Sequence, residues 1–580
     1  MLLLALLAPA LPLIVALAAR RHPTWVPDLD LALTELRVRD VGGSHSPLVG
    51  LPGRIGTLDR QGSHPGPISF YLLAPAYRAF GATSFALQAS TVLFHLAGAW
   101  TALVIVARRA GPRWTLAASL AVSVLVSALG PNLFTEPWNP HLPLLWWPAF
   151  LVAVWATLCG DVRLLPVVVV AGTICAQTHV SYLGAVGLLT ILAAVVSVRR
   201  PEPAAAVHRG RWLLASTALG LVLWMPPLID QLSQEPGNAT LLAEHLLDAP
   251  EPSVGVLDGA RLVLARLDVV HLVRSAAVDP GRLAEDYPTG ASAWRGAAFL
   301  AAWGVAAALA WRRSRPTRAA LALHVTGALG TVLAIASAAR IVGFPWAYLM
   351  LWVWWLPPLL LAAAASVMHD RRLLRPVASA AMLLLVGVTL RATWNAAEAT
   401  AANPVLSRSV SRAGPIVAEE LDADGRYLVT WTDAINLGGF GYGMVVELER
   451  RGIEVAVEEH LDTQFGEHRV VAAEEADGHL VVATGLAIGR WARVDGAQEL
   501  VSFDARTAGE RQESRRLRSA LIDELRARGL DDLIPIVDEN LYGVAFDRRL
   551  SSRAQELVDE LGALGAPMAA YLVPIGSDLP

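Results

Sequence analysis

Long apolar stretches constrain this chain more than any other feature of its sequence. A helix needs about 20 apolar residues to cross roughly 30 Å of hydrocarbon. Eleven such stretches, the fifth of them short, recur in the first 400 positions: 2–18, 84–106, 114–130, 142–158, 164–177, 181–198, 212–228, 292–311, 319–339, 347–366 and 376–393. The sequence therefore predicts a polytopic α-helical membrane protein with about 11 transmembrane helices.

Composition agrees with this class and limits the chemistry that the chain can offer. Charged residues make up 17% of the chain, against about 25% in soluble proteins. All 47 basic residues are Arg, so any cation that clamps a phosphate must be Arg or His. Cys159 and Cys175 lie in apolar stretches and are too few for a disulfide framework or a Cys-rich metal site.

The distribution of Arg predicts the orientation in the membrane, because short Arg-rich loops stay cytoplasmic. Alternate loops carry Arg108, Arg109, Arg113, Arg163, Arg199, Arg200, Arg209, Arg211, Arg312, Arg313, Arg315, Arg318, Arg371, Arg372 and Arg375. The opposite short loops have the single residue Arg340. Eleven crossings with this bias predict a cytoplasmic N-terminus and an extracytoplasmic C-terminus in the plasma membrane.

The same topology predicts two domains. Residues 1–400 form the membrane domain, with long outer loops at 19–83 and 229–291, and residues 401–580 form an outer domain. That outer domain is acidic, with 31 acidic and 18 basic residues. The first apolar stretch is interpreted as an anchor helix, a cleaved signal peptide is the competing interpretation, and whether the natural N-terminus is longer stays open.

Short motifs follow the first apolar stretch. Asp28 and Asp30 begin a helical pattern, a Gly- and Pro-rich stretch follows at 42–62, and a second interfacial helix covers 68–80. The residues that carry a family likeness are Asp30, His64, Pro65, Gly66, Pro67, Phe70, Tyr71, Leu72, Leu73 and 80–86. They resemble the opening of GT-C glycosyltransferases, especially protein O-mannosyltransferases and aminoarabinose transferases. Two positions depart from that pattern: Gly66-Pro67 replaces Pro-Leu, and Gln88 replaces Arg.

This resemblance implies an inverting glycosyltransferase, hexosyl or pentosyl. It would move a sugar from a polyprenyl-phosphate donor to a cell-envelope glycan, lipid or protein acceptor on the outer face. The expected partners are that donor, the acceptor and the bilayer, without nucleic acid. An acceptor hydroxyl needs a carboxylate to take its proton: Asp30 is the first candidate, Asp28 the second and Glu35 the third. The alternative is that Asp28 and Asp30 cap a surface helix.

Six predicted cations on the outer side are candidates to bind the donor phosphate: Arg54, Arg60, His64, His141, His179 and Arg340. Polar residues at a helix mouth are costly unless they meet water, a substrate or a partner, so we expect the three His at one outer cavity. A three-His metal site is an alternative, but the close His spacing typical of metal sites is absent. No metal ligand and no cofactor is therefore assigned, and dependence on a divalent cation stays open.

Strand and helix signals alternate in residues 401–580, which predicts an α/β domain. Strands are expected at 426–431 and 453–457, a Gly-rich loop at 438–443, helices at 444–451, 511–528 and 551–564, and apolar segments at 480–484, 500–503 and 569–574. The domain would cover the cleft or hold a carbohydrate acceptor. Phe440, Tyr442 and Asp433 are the candidate contacts, since ligands favour the carboxyl edge of a strand.

Two other functions remain open at this point. A transporter or flippase of lipid-linked sugars would also need many crossings, although the predicted spans contain almost no ionisable residues for a substrate pathway. A non-catalytic envelope-assembly protein would keep the architecture and lack the chemistry.

Overall fold

The computed structural model describes residues 2–21, 25–57, 60–199, 208–249, 251–284, 291–313, 316–367, 374–398, 403–435, 437–547 and 549–577. Contacts divide the chain into two compact units. The membrane unit is Met1–Ala19, Ser46–Ala79 and Gln88–Ala399, and the C-terminal unit is Arg20–His45, Phe80–Leu87 and Thr400–Pro580. Four arginines of the predicted cytoplasmic loops lie outside the described residues: Arg200, Arg315, Arg371 and Arg372.

The first 110 residues contain four helices and one β-hairpin. In chain order they are α1 (Leu2–Ala19), α2 (Leu29–Asp40), β1 (Pro52–Thr57), β2 (Arg60–Ser63), α3 (Ile68–Ala79) and α4 (Ser84–Ala110). Strands β1 and β2 pair antiparallel across the Gly- and Pro-rich stretch. Helices α2 and α3 match the two helical patterns that the sequence predicts there.

Helices dominate the remainder of the membrane unit. They are α5 (Pro112–Leu129), α6 (Trp146–Leu158), α7 (Leu165–Thr178), α8 (Leu183–Arg199), α9 (Arg209–Leu223), α10 (Met225–Ser233), α11 (Asn238–Leu247), α12 (Val256–Arg266), α13 (Val269–Ala277), α14 (Ala293–Arg313), α15 (Arg318–Ala339), α16 (Leu356–Ser366) and α17 (Leu374–Ala397). Short 3-10 segments precede several of them, the longest being Ala347–Trp355.

The apolar helices make this a multi-pass membrane protein. Among the described residues, seven helices are long and apolar enough to cross a membrane, and α9 with α10 forms a bent pair that could be an eighth span. Three further predicted spans are shorter apolar helices, Leu3–Ala19, Leu142–Leu158 and Val162–Thr178. Every predicted stretch therefore corresponds to an apolar helix, whereas a total of 11 crossings stays a prediction.

Aromatic side chains form the centre of the membrane unit. The ring centroids of Trp147 and Trp352 lie 5.3 Å apart, and Tyr182 lies 5.3 Å from Trp147 and 5.4 Å from Trp352. Gly98 lets α4 approach this region, because a Cβ at that position would lie 2.7 Å from the Leu145 carbonyl oxygen. The packing fixes the segments that carry the histidines described below.

The C-terminal unit contains an α/β fold in addition to α2. Its later elements are α18 (Pro404–Glu420), β3 (Arg426–Thr432), α19 (Gly439–Arg450), β4 (Glu454–Ala456), α20 (Asp462–Phe465), β5 (Gly478–Thr484), α21 (Ala487–Trp491), β6 (Gln498–Phe503), α22 (Ala508–Ala527), α23 (Leu541–Ala545), α24 (Ser552–Ala563) and β7 (Met568–Val573). The five strands form one mixed sheet in the order β4-β3-β5-β7-β6. Strands β4, β3 and β5 are parallel, and β7 is antiparallel to β5 and β6.

The prediction of a Gly-rich loop at 438–443 is wrong for most of its length. Gly438 adopts a left-handed conformation with φ of 90°, and α19 begins at the next residue. A Cβ on Gly441 would lie 2.5 Å from a ring carbon of Trp431. Glycine is therefore required here because the helix passes directly over an indole ring, and this long-range contact outweighs the turn propensity of glycine.

Candidate functional site

The two aspartates lie on the first turn of α2 in the C-terminal unit. Leu29 between them has φ of 45°, which is costly for a residue with a branched side chain. The Asp28 carboxylate makes no capping hydrogen bond to α2 and instead accepts one from the Asn403 side-chain amide. The alternative prediction that the Asp28 side chain caps this helix is therefore wrong, and its buried carboxylate holds the start of α18.

Asp30 is half-buried and lies near an aromatic group of the same unit. Burial, together with the nearby charge of Asp30, raises the pKa of the Tyr442 hydroxyl to about 12. The Tyr442 ring lies 5.1 Å from Trp431 and 4.8 Å from Phe465 between ring centroids. Of the three predicted acceptor contacts, Tyr442 thus adjoins the candidate base.

The other two predicted acceptor contacts have structural roles. Phe440 is fully buried. The Asp433 carboxylate accepts hydrogen bonds from the Ile435 and Phe440 amides and from the Thr484 hydroxyl, which fixes the turn after β3.

Ion pairs fix α2 against α19 within the C-terminal unit. The Arg450 guanidinium binds both oxygens of Glu35, whose side chain is 0% exposed, and Arg450 Nη1 also donates to Glu447 at 2.6 Å. At the end of α2, Arg469 donates to both oxygens of Asp40 at 2.9 and 2.8 Å. Glu35, the third candidate base, therefore holds the helix that carries Asp30.

Burial raises the pKa of Asp40, but hydrogen bonds from His468 and Arg469 outweigh it and bring the pKa down to about 2. This carboxylate is therefore charged throughout the neutral range, and its pair with Arg469 is a permanent contact of α2.

In the membrane unit, the segment around His64 is held by backbone and amide contacts. The Gly50 amide donates to the His64 carbonyl and the His64 amide donates to the Leu51 carbonyl, while the Asn238 side chain bonds both the amide and the carbonyl of Ser63. The Asp230 carboxylate accepts from the Asn238 amide at 2.8 Å. Asp230, which lies near the end of α10, thus positions Asn238 and through it the segment that carries His64.

Gly66 is required at the motif because Gln177 occupies the space beside it. A Cβ on Gly66 would lie 2.5 Å from Gln177 Oε1, and the Gly66 amide donates to the Gln177 carbonyl at 3.1 Å. The same Oε1 accepts from the Ile68 amide. The departure from the family's Pro-Leu therefore has a local packing reason.

The three predicted histidines lie together in the membrane unit. The rings of His64 and His179 stack with centroids 4.6 Å apart, and His64 Nδ1 accepts from the Val180 amide at 3.2 Å. His179 lies within electrostatic range of both His64 and His141. His141 contacts the Trp138 ring edge-to-face at 4.8 Å.

Burial keeps these imidazoles neutral at pH 7. It lowers the pKa of His64 to about 4 and that of His141 to about 3, and it lowers the pKa of His179 well below its ordinary value. The Glu136 carboxylate lies 3.6 Å from His141 Nδ1, but at neutral pH this contact is not an ion pair. The histidines therefore offer hydrogen bonds to a ligand and no positive charge.

Two of the predicted arginines form a separate, charged cluster. Arg54 and Arg340 are exposed, and both lie within electrostatic range of His245. Arg54 Nη2 donates to the Phe344 carbonyl at 3.0 Å, and His245 Nδ1 accepts from the Gly56 amide at 3.2 Å. That bond fixes the neutral tautomer of His245 with its proton on Nε2.

Arg60 has a different partner from Arg54 and Arg340, and His245 was not among the site residues that the sequence predicts. Arg60 pairs at 3.3 Å with Glu244, and both side chains are exposed, so the pair contributes little to stability. His245 lies on α11 in a long loop, where no local pattern distinguishes it from any other histidine. The structure does not gather three or more His, Cys, Asp or Glu side chains into a metal-binding arrangement anywhere in its described ranges.

Comparison with solved structures identifies the fold. ArnT from Cupriavidus metallidurans bound to undecaprenyl phosphate superposes with a TM-score of 0.52 and 13% identity, covering 86% of this chain and 96% of that chain. Apo ArnT gives a TM-score of 0.53 with the same identity and coverage. The archaeal oligosaccharyltransferase AglB from Archaeoglobus fulgidus covers 83% of this chain and 69% of that chain at 10% identity, with a TM-score of 0.40.

No protein-family model matches the sequence, and no curated protein matches it. The likeness to ArnT is therefore one of fold, and at that level it agrees with the resemblance that the sequence predicts.

Proposed function

Because the chain has the GT-C fold of ArnT, we propose that it is an inverting glycosyltransferase that uses a polyprenyl-phosphate sugar. The acceptor would be a glycan, lipid or protein of the cell envelope on the outer membrane face. The observation that carries the proposal is the superposition on 96% of ArnT in a structure bound to undecaprenyl phosphate.

The donor phosphate is assigned to the exposed arginine pair. Arg54 and Arg340 supply two permanent charges, and guanidinium groups match the geometry of phosphate oxygens. His245 Nε2 adds a neutral donor beside them. The buried His64, His141 and His179 would contribute hydrogen bonds to the donor, while the charge comes from the arginines.

Asp30 is the proposed general base. Asp28 is buried and bound to Asn403, and Glu35 is buried and bound to Arg450, whereas Asp30 is the half-buried carboxylate of the three. As the acceptor oxygen attacks the anomeric carbon, its proton passes to Asp30 and the bond from that carbon to the phosphate oxygen breaks. A single displacement inverts the anomeric centre and releases the polyprenyl phosphate.

The proposed placement in the membrane follows from the Arg distribution. The N-terminus would be cytoplasmic and the C-terminal unit extracytoplasmic, so that Asp30 acts on the outer face. The C-terminal unit would hold α2 through its ion pairs, and Tyr442 beside Asp30 would contact the acceptor.

The test is sugar transfer by an Asp30→Asn variant of the full chain. The wild type should transfer label from an undecaprenyl-phosphate hexose or pentose to envelope material, and the variant should lose about 10²-fold or more of that rate. Asp424→Asn, which changes an exposed carboxylate in a turn of the same unit, is the matched control. Full transfer by folded Asp30→Asn would overturn the base assignment. Absence of transfer by the wild type with every such donor would favour a flippase or an assembly protein.

A further inference from the structure

A stripe of buried polar residues follows one face of α4 within the membrane unit. Gln88, Thr91 and His95 are spaced at i, i+3 and i+7, which places them on the same side of the helix, and all three are 0% exposed. This helix meets the length and hydropathy requirements of a membrane span. Buried polar side chains in such a helix are costly and mark functional sites.

His95 extends the three predicted histidines into the helix bundle. It lies within electrostatic range of His141, which in turn lies within range of His179, which stacks on His64. These four residues are called the imidazole row. The Phe134 ring contacts His95 edge-to-face at 5.1 Å.

The imidazole row and Gln88 contain hydrogen-bonding atoms that no described residue uses. Among the described residues, neither ring nitrogen of His95 and neither amide atom of Gln88 has a hydrogen-bond partner, and His141 Nδ1 has none either. Each of these side chains can donate one bond and accept another. An unpaired buried polar group costs roughly 1–3 kcal/mol, and a ligand that hydrogen-bonds to these atoms would offset that cost.

The chemistry of the row indicates what it binds. A phosphate would call for permanent positive charge, which the Arg54 and Arg340 cluster has and the row lacks. A glycosyl ring presents hydroxyls that both donate and accept hydrogen bonds, and apolar C–H faces that pack on aromatic rings. Trp138, which contacts His141, and Phe134, which contacts His95, supply those rings.

We propose that the imidazole row, with Gln88, is a glycosyl-binding subsite inside the membrane unit. It binds the sugar through neutral hydrogen bonds, and it rests on the proposed glycosyltransferase function. The sugar is carried either by the lipid donor or by the acceptor, and the experiment below separates these two sources.

The test compares lipid binding by the purified full chain. Undecaprenyl phosphate and undecaprenyl phosphate bearing a hexose or pentose are titrated against wild type, His95→Leu and Gln88→Leu. The wild type should prefer the sugar-bearing lipid by about tenfold, and each Leu variant should lose that preference while binding sugar-free lipid as well as wild type does. Both variants should keep or gain thermal stability, because they remove an unpaired buried polar group.

A matched control is available in α15. His324 is also buried within an apolar helix, has no hydrogen-bond partner on either ring nitrogen among the described residues, and packs on Trp303. His324→Leu should leave the preference for the sugar-bearing lipid unchanged.

A second experiment titrates methyl glycosides without lipid against the same proteins. Methyl glycoside binding that His95→Leu abolishes would assign the row to the acceptor sugar. Binding of the sugar only as part of the lipid would assign the row to the donor sugar.

Three results would overturn the subsite. They are equal wild-type binding of both lipids together with no methyl glycoside binding that His95→Leu abolishes, an equal loss of both lipids in His95→Leu, or an unchanged preference in both Leu variants. If the wild type still transfers labelled sugar in any of these cases, the proposed glycosyltransferase function stands. Failure of the subsite is therefore distinguishable from failure of the proposed function.

Discussion

Removal of the Arg450 guanidinium should release α2 and with it the candidate base. Glu35 has no exposed side-chain surface and both of its oxygens are bound by Arg450. An Arg450→Met variant would therefore leave a buried carboxylate without its cation, a change that costs about 3–5 kcal/mol. At 1.4 kcal/mol per factor of ten, local opening of α2 becomes more frequent by about 100-fold to 4,000-fold.

Hydrogen exchange on the full-length protein measures this effect directly. Amides of α2 should exchange about a hundredfold or more faster in Arg450→Met than in wild type, and sugar transfer should fall with the loss of protection. Replacing both partners, as Glu35→Leu with Arg450→Met, should restore much of the protection because no unpaired charge remains.

The neighbouring arginine provides the control for this experiment. Arg451 also pairs with Glu447, but its side chain is 32% exposed, against 12% for that of Arg450. Arg451→Met should change α2 exchange only slightly. Unchanged α2 protection in Arg450→Met would refute the reasoning that this ion pair holds the helix.

Two further predictions concern the same unit. The pKa of Asp40 is depressed to about 2, so its contribution to stability is present above about pH 4 and is lost as the pH falls toward 2. Acid unfolding of the wild type should show this loss. The Asp40→Asn variant should be about 2 kcal/mol less stable at neutral pH, and its free energy of unfolding should depend less on pH in this range. Gly441→Ala should lower the free energy of unfolding by about 1–3 kcal/mol, measured by thermal melting, because the added methyl overlaps the Trp431 ring.

Gly489 provides the matched control for the glycine prediction. It lies in α21, and a Cβ there would meet no atom within 4 Å among the described residues. Gly489→Ala should be neutral or slightly stabilising. Equal melting temperatures for both alanine variants would contradict the packing explanation, and parallel acid profiles for wild type and Asp40→Asn would contradict the ion-pair explanation.

Local patterns allowed most secondary structure to be predicted. Apolar length located the helices, and the predicted strands at 426–431 and 453–457 coincide with strands of the observed sheet, as do the apolar segments at 480–484, 500–503 and 569–574. The start of α19 was missed, because four glycines in six residues have the local signature of a turn. Their actual constraint is the distant ring of Trp431.

The candidate site was predictable only where a short motif marked it. Asp30 and His64 stand in recognisable motifs, but the partners that determine their environment come from far along the chain. Arg450 lies 415 residues from Glu35, and nothing local marks it as its partner. His95 lies inside an apolar stretch and His245 in a long loop, so neither could be distinguished before folding brought His95 near His141 and His245 near Arg54.

The stereochemistry of single-turnover sugar transfer tests the central claim most directly. The purified full chain is mixed with an undecaprenyl-phosphate sugar and envelope acceptor, and the anomeric configuration of the new linkage is read by NMR. Direct displacement with Asp30 as base predicts a product of inverted configuration that Asp30→Asn fails to form. Transfer with retention, or no transfer from any hexose or pentose donor, would contradict the account.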